Sequence, residues 1–147
     1  MLAGCDAGGP GLNDVSRYAK RCHDLLYADA AASAYFTHSD EHSPQTLYDM
    51  ADRLSKDAGA MAIDIGAPEG FSESGGAWEN YAQSVSDAYR KIANALNDPT
   101  LANSRDMVEA IHESSGYAAK AIAAFKRDLA NSPFTKQEKN RILNRLM

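Results

Sequence analysis

The sequence has few cysteines, no long apolar run and no cluster of basic residues, and each absence removes a class of protein. Two cysteines, Cys5 and Cys22, are too few for a disulfide framework. The apolar runs are only a few residues long, whereas a membrane-spanning helix needs about 20. The net charge of −5 argues against nucleic acid as the main partner, because phosphate binding needs clustered basic charge.

The sequence also has few β-branched residues, and these never alternate with polar residues over a useful length. Alanine is abundant, which favours closely packed helices. A chain of 147 residues with 44% hydrophobic and 24% charged residues suits one folded domain with its own core. We therefore expect a single all-α domain over residues 12–147, preceded by a flexible segment at 1–11.

The strongest helical pattern lies between Pro99 and Ala130. Asp98 suits the N-cap of a helix and Pro99 its first turn. Apolar and small residues recur there at heptad spacing, which predicts one long helix that serves as the spine of a bundle. Gly116 interrupts this pattern, and since a glycine inside a helix costs about 1 kcal/mol relative to alanine, we expect a second helix to cross closely there.

Three further amphipathic stretches predict helices at about 13–36, 45–65 and 77–97. Between the second and third, four glycines and a proline in residues 66–77 predict a long connection. Thr135 and Glu138 form a capping-box pattern that predicts a short last helix. The sequence thus predicts an antiparallel bundle of four main helices with a short C-terminal fifth helix, and Cys22 as a small buried residue of the first.

The first residues resemble the lipobox of bacterial lipoproteins. The residues that carry the resemblance are Leu2, Ala3, Gly4 and Cys5, and the glycine-rich residues 6–11 follow as a flexible leash. The resemblance implies that a signal peptidase cuts before Cys5 and that the Cys5 thiol carries a diacylglycerol. The basic and apolar segments of such a signal peptide are not in the sequence, so we expect them upstream of Met1. The alternative is an ordinary N-terminus with a free thiol.

The charges suggest where a protein partner would bind. From His38 to Glu79 the chain has 9 acidic and 2 basic residues, whereas the last helix has four basic residues and Glu138 as its one acid. We expect the basic helix to fold back on the acidic second helix, with anionic lipid as the alternative contact. The residues proposed for partner binding are Asp49, Asp52, Asp57, Trp78, Lys139, Arg141 and Arg145.

A metal or catalytic site has weaker support. His38 and His42 are four residues apart, a spacing that metals use on a helix, but the run around them predicts a solvated loop. Asp29 lies on the apolar stripe of the first helix, and we expect it at the stripe's edge, paired with a base.

We therefore expect a non-enzymatic protein without cofactor, lipid-anchored through Cys5 at the bacterial cell envelope, that binds another protein in an inhibitor, immunity or exclusion role. The alternatives are a cytoplasmic helical binding or regulatory protein, and a metal-binding protein that uses the loop from His38 to His42.

Overall fold

The structure is a computed structural model that describes residues 10–98 and 104–147, without the side chains of 104–108. It is an all-α bundle of four long helices and a short fifth, which confirms the predicted fold class. The helices are α1 (Leu12–Thr37), α2 (Pro44–Ile63), α3 (Ser72–Asn97), α4 (Ser104–Ala130) and α5 (Lys136–Leu146), and one 3₁₀ turn (Ser39–Glu41) follows α1. No helix in these ranges is both long and apolar enough to cross a bilayer.

Neighbouring helices run antiparallel. The guanidinium of Arg21, early in α1, donates to the carbonyl oxygens of Asp64 and Ile65 at the end of α2. Glu73, at the start of α3, pairs with Arg127 at the end of α4 at 2.8 Å. One end of the bundle therefore contains the start of α1. The other end contains the last turn of α1, about 39 Å away along the helix axis.

The most buried helix is α3, and it packs extensively against both α2 and α4. The expectation that the stretch from Pro99 to Ala130 forms the spine was wrong in this respect. The part of that stretch before Ser104 lies outside the described residues, and Ser115, in its predicted seam, is exposed. Periodicity identified both helices correctly, but it does not tell which amphipathic helix has partners on several sides.

Small residues let α2 and α3 approach closely. The Ser55 hydroxyl donates a hydrogen bond to the Ser86 carbonyl oxygen, and the Ser86 hydroxyl donates one to the Ser55 carbonyl oxygen. Both distances are 2.8 Å. A Cβ at Gly59 would lie 3.0 Å from the Ser86 hydroxyl. Two buried hydroxyls thus find partners across this close contact, where unpaired hydroxyls would cost about 1–3 kcal/mol each.

Helix α3 begins at Ser72, five residues before its predicted start. Gly75 and Gly76 lie inside the helix, so the break between α2 and α3 covers only residues 64–71. A Cβ at Gly75 would lie 2.7 Å from the Cβ of Ala67, because the connection passes directly over the first turn of α3. The glycine thus allows a close approach of two segments and does not end the helix.

Gly116 has no such neighbour. Helix α4 continues through it, and an added Cβ would meet nothing within 4 Å. The predicted close helix crossing at Gly116 was therefore wrong, and the glycine lies on the exposed face of α4.

Helix α5 begins with the predicted capping box. The Thr135 hydroxyl accepts a hydrogen bond from the backbone N–H of Glu138 at 3.1 Å. The Glu138 carboxylate accepts one from the backbone N–H of Thr135 at 2.9 Å. Ile142 and Leu146 are buried, and α5 packs mainly against α1. The expected fold-back onto acidic α2 was wrong, because burial of these two apolar side chains outweighs screened attraction between exposed charges.

Candidate protein-interaction site

A groove between α1 and α2 contains two of the predicted partner residues. It encloses about 380 Å³ and is lined by Ala28, Ala31, Ala32, Thr46, Asp49, Met50, Arg53, Leu54 and Asp57. We call it the α1–α2 groove. The alanines of α1 leave the space, since larger side chains at these positions would fill it, and Leu54 is buried at its floor.

The rim of the α1–α2 groove carries alternating charge. Asp49, Arg53 and Asp57 are spaced four residues apart and share one exposed face of α2. Asp49 accepts a hydrogen bond from the Gln45 amide at 2.8 Å. Among the described residues, neither carboxylate of the rim forms an ion pair, so both are open to a basic side chain from outside.

The third predicted acid of α2 faces elsewhere. Asp52 is half-buried and pairs with Lys56 at 2.8 Å, and it does not line the groove. This exposed pair on one helix contributes little to stability, about 0.3–0.5 kcal/mol. Its carboxylate is less available to a partner than Asp49 or Asp57.

Trp78 was wrongly predicted as a partner-binding residue, because it is fully buried in the core. Its ring lies edge-on to Tyr81, with centroids 5.7 Å apart. The indole N–H has no hydrogen-bond partner in the described part of the chain, which costs some stability. A partner cannot reach this side chain while the bundle is intact.

The basic candidates on α5 divide into two kinds. Lys139 donates to the Ala130 carbonyl oxygen at 2.8 Å and so caps the end of α4. Arg141 and Arg145 are both exposed. Lys139 therefore has a structural role, whereas Arg141 and Arg145 remain available to a partner on the surface.

The two loop histidines do not converge. His38 is exposed just after α1, whereas the His42 ring stacks on Tyr35 with centroids 4.3 Å apart. In residues 10–98 and 104–147, no three His, Cys, Asp or Glu side chains lie close enough together to hold a metal ion. The predicted loop contains the 3₁₀ turn, and it lies at the opposite end of the bundle from the 64–71 connection.

A second, larger cleft of about 800 Å³ opens at the end of the bundle where α1 finishes. We call it the end cleft. Its floor is aliphatic and aromatic and its rim is polar; the lining residues are Ser33, Phe36, Thr37, Ser39, Asp40, His42, Pro44, Leu47, Ile92, Leu96, Ile111, His112 and Ser115. No single sequence motif signalled this cleft, since its walls come from all four long helices.

Asp29 forms a buried polar network beside the end cleft. The Tyr81 hydroxyl donates to one carboxylate oxygen at 2.6 Å and the Tyr89 hydroxyl donates to the other at 3.2 Å. Ser33, on the wall of the end cleft, lies 3.3 Å from the Tyr89 hydroxyl. The prediction that Asp29 pairs with a base was therefore wrong, because its partners are two phenols. The spacing of residues along α1 alone does not identify partners on α3.

The environment of Asp29 raises the affinity of its carboxylate for a proton. Burial raises the pKa of the Asp29 carboxyl, and the hydrogen bonds from Tyr81 and Tyr89 partly oppose that rise. Burial, followed by the nearby carboxylate, also raises the pKa of Tyr81. The network can therefore take up a proton at Asp29 while both phenols stay protonated.

The lipobox residues Leu2, Ala3, Gly4 and Cys5 lie outside the described residues. The comparisons with known proteins give no family either. Neither a protein-family model, nor a curated protein, nor a solved structure matches this chain.

Proposed function

We propose that this protein is a small non-enzymatic helical protein, held at the bacterial cell envelope by lipid on Cys5, that binds another protein through the α1–α2 groove. The lipobox pattern of residues 2–5 supports the anchor. The observation that carries the binding role is the pair of exposed carboxylates, Asp49 and Asp57, on the α2 rim of an apolar floor.

This geometry suits a protein segment more than a compact metabolite. The groove is shallow, it runs between two helices, and its floor is made of alanine, methionine and leucine side chains. A segment with one small or medium apolar residue fills the floor, and Lys or Arg on either side reaches the two carboxylates. Charged groups on a rim steer association and select partners more than they add affinity.

The anchor is tested by the intact mass of protein isolated from its own cells. Lipid on Cys5 adds the mass of a diacylglycerol thioether, and Cys5→Ser removes that mass. An unmodified Cys5 in native protein would refute the envelope assignment and favour the cytoplasmic alternative.

The groove is tested by site-specific photocrosslinking in cells. A photoreactive residue at Ala31, in the groove, should form an adduct with a partner protein. The same residue at Gln83, exposed on α3, is the matched control. Asp49→Asn with Asp57→Asn should reduce the Ala31 adduct strongly. Equal adducts from both positions, or an adduct that survives the double substitution unchanged, would refute binding through this groove.

A further inference from the structure

We propose that α5 and the adjoining part of α1 form a membrane-contact face that binds the headgroups of anionic phospholipids. The face consists of Arg141, Arg145 and Met147 with Tyr27 of α1, and we call it the basic flank. The inference rests on the proposed function for the presence of a bilayer near the domain.

The charge of the basic flank is not neutralised within the described residues. Glu138, the one acid of α5, is occupied by its capping box. Arg141 and Arg145 are exposed, and neither forms a salt bridge with a described carboxylate. The headgroup of an anionic lipid supplies the charge that is missing there.

The arginines share one face of α5. Arg141 and Arg145 are one turn apart, and the exposed neighbours Gln137, Asn140 and Asn144 are uncharged. An adjoining side of the helix is fixed to α1 by the buried side chains of Ile142 and Leu146. The cationic face is therefore held outward by a well-packed helix, so little order is lost when it binds a surface.

An exposed aromatic residue lies at the end of this face. Tyr27 is 70% exposed, and its ring lies 6.3 Å from that of His23. The His23 ring in turn donates from Nδ1 to the Leu146 carbonyl oxygen at 3.1 Å, next to exposed Met147. Tyrosine is enriched at membrane interfaces, and basic side chains add electrostatic attraction to anionic lipids.

The chain path from Cys5 brings this face to the bilayer. Six residues separate Cys5 from Leu12, a reach of about 25 Å when fully extended. Helix α5 packs along the first half of α1. A lipid on Cys5 thus tethers the part of the bundle that carries the basic flank. The exposed acids Asp40 and Glu41, at the far end of α1, are held away from anionic headgroups.

The test uses the full chain with Cys5→Ser, so that no covalent lipid assists binding. Co-sedimentation is measured at low salt with vesicles of phosphatidylcholine alone and with 30% phosphatidylglycerol. The protein should bind the anionic vesicles only, and added salt should release it. Arg141→Gln with Arg145→Gln should weaken partitioning about 30-fold, since each basic residue near such a surface contributes about 1 kcal/mol.

Arg90→Gln with Lys91→Gln on α3 removes the same charge at exposed positions and is the matched control. It should leave vesicle binding within about twofold of the parent. No binding to anionic vesicles at low salt, or equal losses in both double variants, would overturn the proposal. Binding to polyglutamate without binding to vesicles would show that the basic flank binds an acidic protein, and this result would also overturn the proposal. An unlipidated native Cys5 refutes the anchor alone, because the vesicle assay does not depend on it.

Discussion

The two ends of the bundle are closed in different ways. At the end where α1 begins, Tyr18, Phe71 and Phe125 are buried and in mutual contact, with ring centroids 5.5–6.2 Å apart. At the other end, smaller aliphatic side chains and Phe36 surround the end cleft of about 800 Å³. We call these the aromatic end and the cleft end.

The difference shows where stability is concentrated. Three large buried side chains in mutual contact make the aromatic end costly to disturb, because interiors are packed as densely as organic crystals. At the cleft end Phe36 is only half-buried and borders the end cleft, so this end can rearrange at lower free energy without unfolding the bundle. The four predictions below test this contrast, from the largest expected effect to the smallest.

Phe125→Ala should lower the free energy of unfolding by about 3–5 kcal/mol, because it removes a fully buried ring from the aromatic end. Phe36→Ala, at the cleft end, should cost clearly less, since Phe36 is only half-buried. Urea unfolding followed by circular dichroism measures both. Equal losses would show that the two ends are equally well packed.

Gly75→Ala should destabilise by about 1–3 kcal/mol, because the new Cβ would lie 2.7 Å from that of Ala67 and the connection must shift. Gly116→Ala adds the same methyl where nothing lies within 4 Å, and it should stabilise by up to about 1 kcal/mol. Thermal melts of the two variants give opposite shifts. A neutral Gly75→Ala would mean that the connection yields easily.

Thr135→Ala should lower stability by about 1 kcal/mol, because it removes the side-chain acceptor for the Glu138 N–H. If α5 belongs to the cooperative unit of the aromatic end, the loss appears in global unfolding. Ser43→Ala removes the corresponding N-cap of α2 and is the control. Hydrogen exchange that shows fraying of α5 without a change in global unfolding would separate α5 from that unit.

Asp29→Asn should flatten the pH dependence of stability. The pKa of Asp29 is raised in the folded state above its unfolded value of about 3.9, so the folded protein binds more protons than the unfolded chain. The parent should therefore lose stability relative to Asp29→Asn as pH rises above about 4, until the folded carboxyl is ionised. Urea unfolding at several pH values measures this.

Asp49→Asn, which removes an exposed carboxylate, is the matched control for Asp29→Asn and should not reproduce the trend. A stability difference between the parent and Asp29→Asn that stays constant with pH would mean that Tyr81 and Tyr89 fully compensate the burial of Asp29.

The helices themselves could be predicted because their signals are local. The spacing of apolar residues placed four helices, and the capping-box pattern of Thr135 and Glu138 placed the fifth, where the capping box is present as expected. The start of α3 was missed because the role of Gly75 depends on Ala67 passing over it, which is a tertiary contact. Gly116 has a similar local sequence signal and no such neighbour.

The candidate sites were harder to predict because they combine several helices. Asp49 and Asp57 were found from charge alone, but the alanine floor beside them requires the pairing of α1 with α2. The tyrosine partners of Asp29 depend on the rotation of α1 relative to α3. The burial of Trp78 depends on the helices that pack around α3. Periodicity contains none of this information.

The position of Cys22 also affects how the N-terminus can be studied. Its side chain has no solvent exposure, and burial raises the pKa of its thiol, so it is a poor nucleophile while the bundle is folded. Alkylation of native protein therefore leaves Cys22 unmodified, and Cys22 joins the reaction only after denaturation. A thiol count before and after denaturation thus gives the modification state of the first cysteine without chromatography or radiolabelled fatty acid.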